Sequence, residues 1–129
     1  MRRYVITYLL GVALLALLAA APAFASGNGP VTEPTGDVTV KRHFWPLFTY
    51  VISDRDSAKA KVTIVVARRK GAELARIAVG WQRTNRVVTI PMLLWRCDFA
   101  RGEYSWRVKA VDPDGNRQSK AWPARLTVY

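Results

Sequence analysis

From Asp37 to Tyr129 the chain consists of short runs in which apolar and polar residues alternate, with turn-forming residues between the runs. Successive side chains of a β-strand point to opposite faces, so this alternation predicts strands that are buried on one face and exposed on the other. The turn residues recur about every 8 to 12 positions, which is typical of a β-sandwich or barrel. No long stretch of this part keeps a helical period. Seven strands are predicted, spanning residues 38–41, 48–53, 61–68, 73–79, 86–92, 103–112 and 125–129.

The same two-residue period predicts which side chains point into a core. The inward sets are Phe48, Tyr50 and Ile52; Val62, Ile64 and Val66; Tyr104, Trp106, Val108 and Ala110; and Leu126 and Val128. Residues 69–71 and 112–116 contain the glycine and asparagine that tight hairpins favour. Together these features predict one core between two sheets.

The first 25 residues have the organisation of an export signal. Two arginines follow Met1, an uncharged apolar run covers residues 4–21, and Ala23 and Ala25 form a small-x-small cleavage site. We expect cleavage near Ser26 and a secreted protein, extracellular or in the cell envelope. The alternative is an uncleaved anchor, because about 18 to 20 apolar residues can just span a bilayer.

Residues 26–36 are mostly glycine, proline and small polar residues, so we expect a flexible N-terminal segment there. The predicted β-domain then occupies residues 37–129. The 104 residues that follow the signal suffice for one hydrophobic core and are too few for two.

The chain is strongly basic. Residues 26–129 have 18 basic and 9 acidic residues, a formal charge of +9. Such a surface favours polyanions, namely nucleic acid, anionic lipid, acidic glycans or wall polymers, although solvated charges without a ligand account for it equally well. Export would remove the protein from most nucleic acid, so we do not expect nucleic acid as the partner. Contact with a membrane is expected only if the signal remains uncleaved.

Cys97 is the only cysteine, so the chain cannot form an internal disulfide even in an oxidising compartment. Its neighbours Leu94, Trp95 and Phe99 are apolar, which favours a buried and inert thiol. The alternative is a disulfide between two chains.

The segment from Phe99 to Tyr104 is the most specific stretch of the sequence. It has an apolar residue, two free positions, Gly102, one free position and Tyr104, directly before an alternating strand. In an immunoglobulin-like sandwich this pattern is typical of a tyrosine corner, in which the tyrosine hydroxyl turns back to an upstream backbone group. Gly102 would let the chain turn. Trp106 lies where antibody-type domains have a disulfide cysteine, and we expect its ring to fill the core there.

The run from Gly102 to Asn116, with the pattern G-x-Y-x-x-R-V-x-A-x-D-x-x-G-N, resembles the penultimate strand and turn of bacterial fibronectin type III-like and flagellar hook-cap-type immunoglobulin-like domains. The resemblance is close over residues 99–128 and loose over 48–80. It implies an immunoglobulin-like antiparallel β-sandwich from an extracellular protein. Members of these families act as spacers, adhesion modules and accessory domains, so the resemblance implies a fold and a compartment more than a function.

The sequence shows no set of residues for catalysis, a cofactor or a metal. Asp112, Asp114 and Asn116 have the spacing of calcium ligands, but no glutamate follows where an EF-hand needs one, so we predict a hairpin turn. His43 is the only histidine, and with Cys97 it falls short of a zinc ligand set. A Cys-His enzyme would need these two residues to meet beside an orienting group. We therefore predict that the protein is not an enzyme and has no cofactor.

Two kinds of surface residue remain as candidates for binding. Arg107 and Lys109 face away from the predicted core, and Arg125 and Lys61 on neighbouring strands extend the same outer face. Trp81 and Trp122 are not needed by the predicted core and suit contacts with sugars or a protein partner.

Two functions are compatible with these features. The first is a non-catalytic interaction or structural module at the cell envelope with an unknown protein or polymer partner. The alternative is a protein that binds an anionic polymer or glycan through the basic face. The alternative requires that the cations lie together and that the tryptophans are exposed.

Overall fold

The alternating runs form strands in the computed structural model, which describes residues 29–90 and 93–129. These residues contain nine strands and no helix. In chain order the strands are β1 (Val31–Pro34), β2 (Val38–Val40), β3 (Thr49–Ser53), β4 (Lys59–Arg68), β5 (Glu73–Arg83), β6 (Val87–Thr89), β7 (Gly102–Val111), β8 (Lys120–Ala121) and β9 (Ala124–Val128).

The strands form two sheets that pack face to face as a β-sandwich. One sheet has the order β6-β3-β1-β8 and the other the order β2-β9-β7-β4-β5. β4 lies between β5 and β7 and pairs antiparallel with both. With β7 it pairs along eight residues, from Lys61 opposite Val111 to Arg68 opposite Tyr104. Five of the described strand pairings are antiparallel, as predicted. The two edge pairings, β1 with β8 and β2 with β9, are parallel.

The core lies between the sheets and contains most of the side chains that the alternation predicts, although Tyr104 is only partly buried. The core residues outside the predicted inward sets are Val40, Ala60, Ile77, Val88, Ile90 and Cys97. Phe48, Tyr50 and Ile52 point inward from β3 and its approach, opposite Val62, Ile64 and Val66 from β4. Trp106 is fully buried at 0% exposure, and its ring lies 4.7 Å from that of Phe48, measured between centroids. The prediction that Trp106 fills the core is therefore confirmed.

All core residues lie between Val40 and Val128. A chain of residues 26–129 thus contains every described strand and the whole described core.

The prediction of a flexible segment over residues 26–36 is wrong for β1. Val31 to Pro34 pair with β3, from Ser53 to Tyr50. The buried Thr32 hydroxyl also donates a hydrogen bond across the sandwich to the Val108 carbonyl at 2.6 Å. The glycine and proline residues on either side of this four-residue strand make the composition of the segment resemble that of a linker. The strand is stabilised by pairing with β3, which exists only in the folded sheet.

Three further differences concern strand bounds. Of the predicted strand over 86–92, β6 comprises Val87–Thr89, and residues 91 and 92 lie outside the described part. β5 continues beyond the predicted end at residue 79 as far as Arg83. β5 continues past a shift in its register with β4 between Val62 and Thr63, where Gly80 has a φ of 91° that other residues adopt only with strain. The two-residue β8 was not predicted, since two residues are too short to show a period.

The predicted signal peptide, residues 1–25, lies outside the described residues. Within the described part, no helix is long and apolar enough to cross a membrane.

Candidate functional site

The outer face of the five-stranded sheet brings the predicted basic residues together. Residues directly opposite each other on neighbouring strands share a face, so the register defines rows across the sheet. The first row contains Trp81, Lys61, Val111 and Arg117, from β5 through β4 and β7 to the segment after β7. At a strand spacing of about 4.8 Å, this row is about 14 Å long.

Two more rows follow toward the other end of the strands. The second contains Ala78, Thr63 and Lys109, and the third contains Arg76, Val65 and Arg107. Val65 is fully buried although it lies on the outer face. Its cross-strand neighbours are the two arginines, whose long apolar stems can cover it while their guanidinium groups remain in water. We call these three rows the basic face.

Part of the basic face is concave. A groove of about 310 Å³ is lined by Lys61, Thr63, Arg76, Lys109, Val111, Arg117 and Gln118. Four of these seven side chains are cationic and none is acidic, so the groove is basic.

The cations of this sheet form two groups: those that pair with an acidic residue and those that do not. Glu103 binds Arg69 at 3.0 Å and Arg125 at 3.7 Å, and Glu73 forms an ion pair with Arg76. By contrast, Lys61, Arg107, Lys109 and Arg117 form no ion pair with any acidic residue of the described part. Arg125 lies on the predicted face, but Glu103 partly neutralises its guanidinium group. It is therefore a weaker candidate for anion binding than the other three predicted cations.

Trp81 belongs to the basic face and Trp122 does not. Trp81 is 50% exposed, lies opposite Lys61, and has the Lys59 ammonium 5.2 Å from its ring centroid. Trp122 is equally exposed but lies in the crossover from β8 to β9, where its backbone N–H donates to the Thr32 carbonyl. Because β9 is three strands away from β5, the two tryptophans cannot contact one small ligand together.

No family model matches this chain, and no curated protein matches it significantly. A function is therefore inferred from the physical properties of the surfaces of this chain.

The sequence did not single out two cations of the basic face. Arg76 has the outward period of β5, with Ile77 buried beside it, so the alternation contained that signal. Arg117 lies outside the strands and reaches the face only through its bridge to Val111, for which the sequence has no periodic signal.

The predicted tyrosine corner has the expected hydrogen bond. The Tyr104 hydroxyl donates to the Ala100 carbonyl at 2.6 Å, four residues upstream. Gly102, between them, has a φ of 151°, a backbone conformation that other residues rarely adopt. These residues stabilise the start of β7, the strand that presents Arg107 and Lys109.

His43, Asp98 and Cys97 lie near one another without forming a catalytic arrangement. His43 Nδ1 is 2.8 Å from the Asp98 carboxylate, which also accepts a bond from Arg96 Nε at 2.9 Å. The Cys97 thiol is fully buried, and burial raises its pKa, which disfavours the thiolate that a nucleophile needs. His43 is instead on the surface, with only its backbone N–H bonded to the Cys97 carbonyl.

The aspartates of the 112–116 segment form a turn. One carboxylate oxygen of Asp112 accepts the backbone N–H groups of Asp114 and Asn116, and the other accepts the Asn116 side-chain amide. These bonds use the oxygens that a calcium ion would need. Within residues 29–90 and 93–129, no three His, Cys, Asp or Glu side chains are grouped as metal ligands.

Proposed function

We propose that this protein is a non-catalytic interaction module of the cell envelope, and that its basic face binds an anionic polymer. The observation that most supports this proposal is the cluster of Lys61, Arg107, Lys109 and Arg117, four cations on one sheet face that no described acidic residue neutralises. The proposal includes secretion, which rests on the signal-like residues 1–25.

We also propose that the domain is of the immunoglobulin-like or fibronectin type III-like kind. In such sandwiches the strand before the last lies between the last strand and the third, and a tyrosine near its start bonds back to the chain. Apart from the two-residue β8 in the other sheet, β7 is the strand before the last, and it lies between β9 and β4. Tyr104 makes the corresponding bond to Ala100. Domains of this type serve as binding and spacer modules, which suits a function without catalysis.

The rows of the basic face suit an extended ligand better than a compact one. Lys61 and Lys109 are diagonal neighbours on adjacent strands, about 7–8 Å apart at their backbones, and Arg107 continues the line along β7. Repeated negative charges of a polymer can bind such a line simultaneously, and the counterions released make the affinity fall as salt rises.

Trp81 adds a test of the polymer's chemistry. An indole ring at the end of a row of cations can stack on a sugar ring of an anionic glycan, whereas a polymer without sugars has nothing to stack on it. We therefore expect Trp81→Ala to weaken binding to an acidic polysaccharide about 2- to 10-fold and to leave binding to polyphosphate unchanged.

The direct experiment measures binding of residues 26–129 to polyphosphate and to purified anionic cell-wall polymer over a salt series. The variant Lys61→Ala/Arg107→Ala/Lys109→Ala should bind about 10- to 100-fold more weakly and show a salt dependence about two units shallower on a log–log plot. The matched control is Arg55→Ala/Arg101→Ala/Lys120→Ala, which removes the same charge from exposed positions outside the basic face.

Equal loss in both variants would mean that only net charge matters, and the basic face would then have no specific role. Absence of binding in the unsubstituted protein would leave a protein partner as the function of the module.

A further inference from the structure

A second surface, at one end of the sandwich, is distinct from the basic face. It comprises residues 41–48, between β2 and β3, and residues 93–101, before β7. Five large apolar side chains on these two loops are exposed: Phe44, Trp45, Leu47, Leu93 and Leu94. We call this surface the aromatic end. Single exposed apolar residues are ordinary on a protein, but five on two joined loops form a patch of the kind that marks a binding site.

The two loops are held together by backbone hydrogen bonds. The His43 N–H donates to the Cys97 carbonyl at 2.7 Å, and the Cys97 N–H donates to the Phe44 carbonyl at 2.8 Å. On the side chains, His43 and Asp98 add a third link at 2.8 Å. These bonds hold the two loops against each other at His43, Phe44, Cys97 and Asp98.

The loops divide their aromatic residues between core and surface. Trp95 and Phe99 pack inward, with Trp95 6.3 Å from Phe48 and 5.4 Å from Phe99 between ring centroids. Leu93 is turned the other way: it is 61% exposed and has a φ of 68°, a left-handed conformation that is unfavourable for leucine. His43 has a φ of 73° on the partner loop. Backbone strain with no compensating burial is typical of residues that contact a ligand.

Positive charge surrounds this apolar patch. Strand registers place the β4–β5 hairpin at the same end, because Arg68 at the end of β4 lies opposite Tyr104 near the start of β7. The two loops and the β4–β5 hairpin therefore all contribute cations at this end. The cations that form no ion pair with any acidic residue of the described part are Lys41, Arg42, Arg68, Lys70 and Arg101.

The acidic residues next to these segments are already neutralised. Asp98 binds His43 and Arg96, Glu103 binds Arg69, and Glu73 forms an ion pair with Arg76. The aromatic end therefore combines exposed apolar tips with a rim of cations that pair with no described acidic residue. One of them, Lys41, has its ammonium 5.6 Å from the centroid of the Phe44 ring.

We propose that the aromatic end docks on the surface of a bilayer that contains anionic lipids. Tryptophan, phenylalanine and leucine partition into the headgroup boundary, and lysine and arginine around them bind the anionic headgroups. A second copy of this chain is a poorer occupant, because it would place two sets of free cations against each other. The docking differs from membrane anchoring by residues 1–25, because it uses only the folded domain. It relies on the proposed envelope location for access to a bilayer and not on polymer binding by the basic face.

The test uses residues 26–129, since the apolar run over 4–21 would insert into vesicles by itself. Co-sedimentation is measured with vesicles of equimolar phosphatidylcholine and phosphatidylglycerol, and with vesicles of phosphatidylcholine alone. We expect binding to the anionic vesicles that is about tenfold or more stronger than to the neutral ones and that decreases with salt.

Substitutions separate the apolar patch from general hydrophobicity. Phe44→Ser/Leu93→Ser should reduce binding to anionic vesicles about tenfold or more. The control Val87→Ser/Trp122→Ser changes two equally exposed apolar residues elsewhere and should bind as the unsubstituted protein does. Near-ultraviolet circular dichroism and a thermal melt confirm that each variant is folded.

Trp45 gives a direct signal of depth. Lipids brominated near the headgroup should quench part of the tryptophan fluorescence of the bound protein, and Trp45→Phe should remove that part.

Three results would overturn the proposal: no preference for anionic vesicles, equal binding by the patch and control variants, or quenching that Trp45→Phe leaves unchanged. Loss of vesicle binding in Lys61→Ala/Arg107→Ala/Lys109→Ala, with retention in Phe44→Ser/Leu93→Ser, would assign the lipid headgroups to the basic face. That result would reject docking by the aromatic end and leave the proposed polyanion binding in place.

Discussion

At the scale of single residues, Tyr104 connects a loop to the strand that follows it. Its hydroxyl reaches the Ala100 carbonyl at 2.6 Å, while its ring packs 5.1 Å from that of Phe99. The phenol thus fixes where β7 begins, and with it the outward direction of Arg107. Residue identity matters here because a phenylalanine would keep the ring contact and lose the hydrogen bond.

We expect Tyr104→Phe to lower the free energy of unfolding by about 0.5–1.5 kcal/mol, the usual net value of one hydrogen bond. The measurement is urea unfolding followed by circular dichroism. Tyr129→Phe is the matched control, because Tyr129 is largely exposed at the chain end. If the two variants were equally stable, the hydroxyl of Tyr104 would have no stabilising role.

At the scale of elements, β1 joins the two sheets. It pairs with β3 in one sheet, and Thr32 donates a hydrogen bond to the Val108 carbonyl in the other. Thr32 is fully buried, so its hydroxyl depends on that partner and on the Lys120 carbonyl at 3.3 Å. β1 is therefore a structural part of the domain even though its sequence reads as a linker.

Thr32→Val keeps the shape of this side chain and removes the hydroxyl, so we expect a loss of about 1–3 kcal/mol in the free energy of unfolding. Thr39→Val on β2 is the control, because Thr39 is exposed. Both variants are compared by denaturant midpoint. A Thr32→Val protein as stable as the control would show that β1 contributes through its backbone pairing alone.

At the scale of the whole molecule, two aspartates near opposite ends of β7 have lowered pKa values. Asp98 lies at the aromatic end, where the hydrogen bond with His43, assisted by Arg96, lowers its pKa. Asp112 lies in the turn at the other end of β7. Burial would raise its pKa, but hydrogen bonds from Asn116 and Asp114 outweigh burial and lower it. Several cations, by contrast, remain unpaired on the surfaces where we propose ligands.

These lowered pKa values predict how stability depends on pH. A carboxylate whose pKa is lower in the folded state stabilises the protein above the pKa of the unfolded chain, near 3.9 for aspartate. That stabilisation is lost as the pH falls through the folded-state pKa. We therefore expect the free energy of unfolding to decline below about pH 4.

Asp112→Asn should be less stable than the unsubstituted protein at pH 7 and should show a smaller decline in acid. Denaturant unfolding at a series of pH values measures both effects. Asp114→Asn is the control from the same turn, since the Asp114 carboxylate makes none of these hydrogen bonds. An unchanged acid profile in Asp112→Asn would mean that other carboxylates determine it.

The strand order and the basic face illustrate how far prediction from the sequence extends. Alternation predicted the core of β3, β4, β7 and β9, because side chains on a strand must alternate between core and solvent. It also placed Lys61, Arg107 and Lys109 on outward positions. It did not predict that Arg125 is partly neutralised by Glu103, because that diagonal contact depends on the register between β7 and β9.

By itself, the sequence determined the all-β class, the inward side chains, the buried Trp106 and the tyrosine corner, since each depends on period or on spacing within a few residues. Only the tertiary structure decided that residues 31–34 form a strand, that Trp81 and Arg117 join one row with Lys61, and that Trp122 does not. It also decided that the two loops of the aromatic end meet. Those outcomes depend on pairing between segments distant in the chain, and strand pairing has no signal in either segment alone.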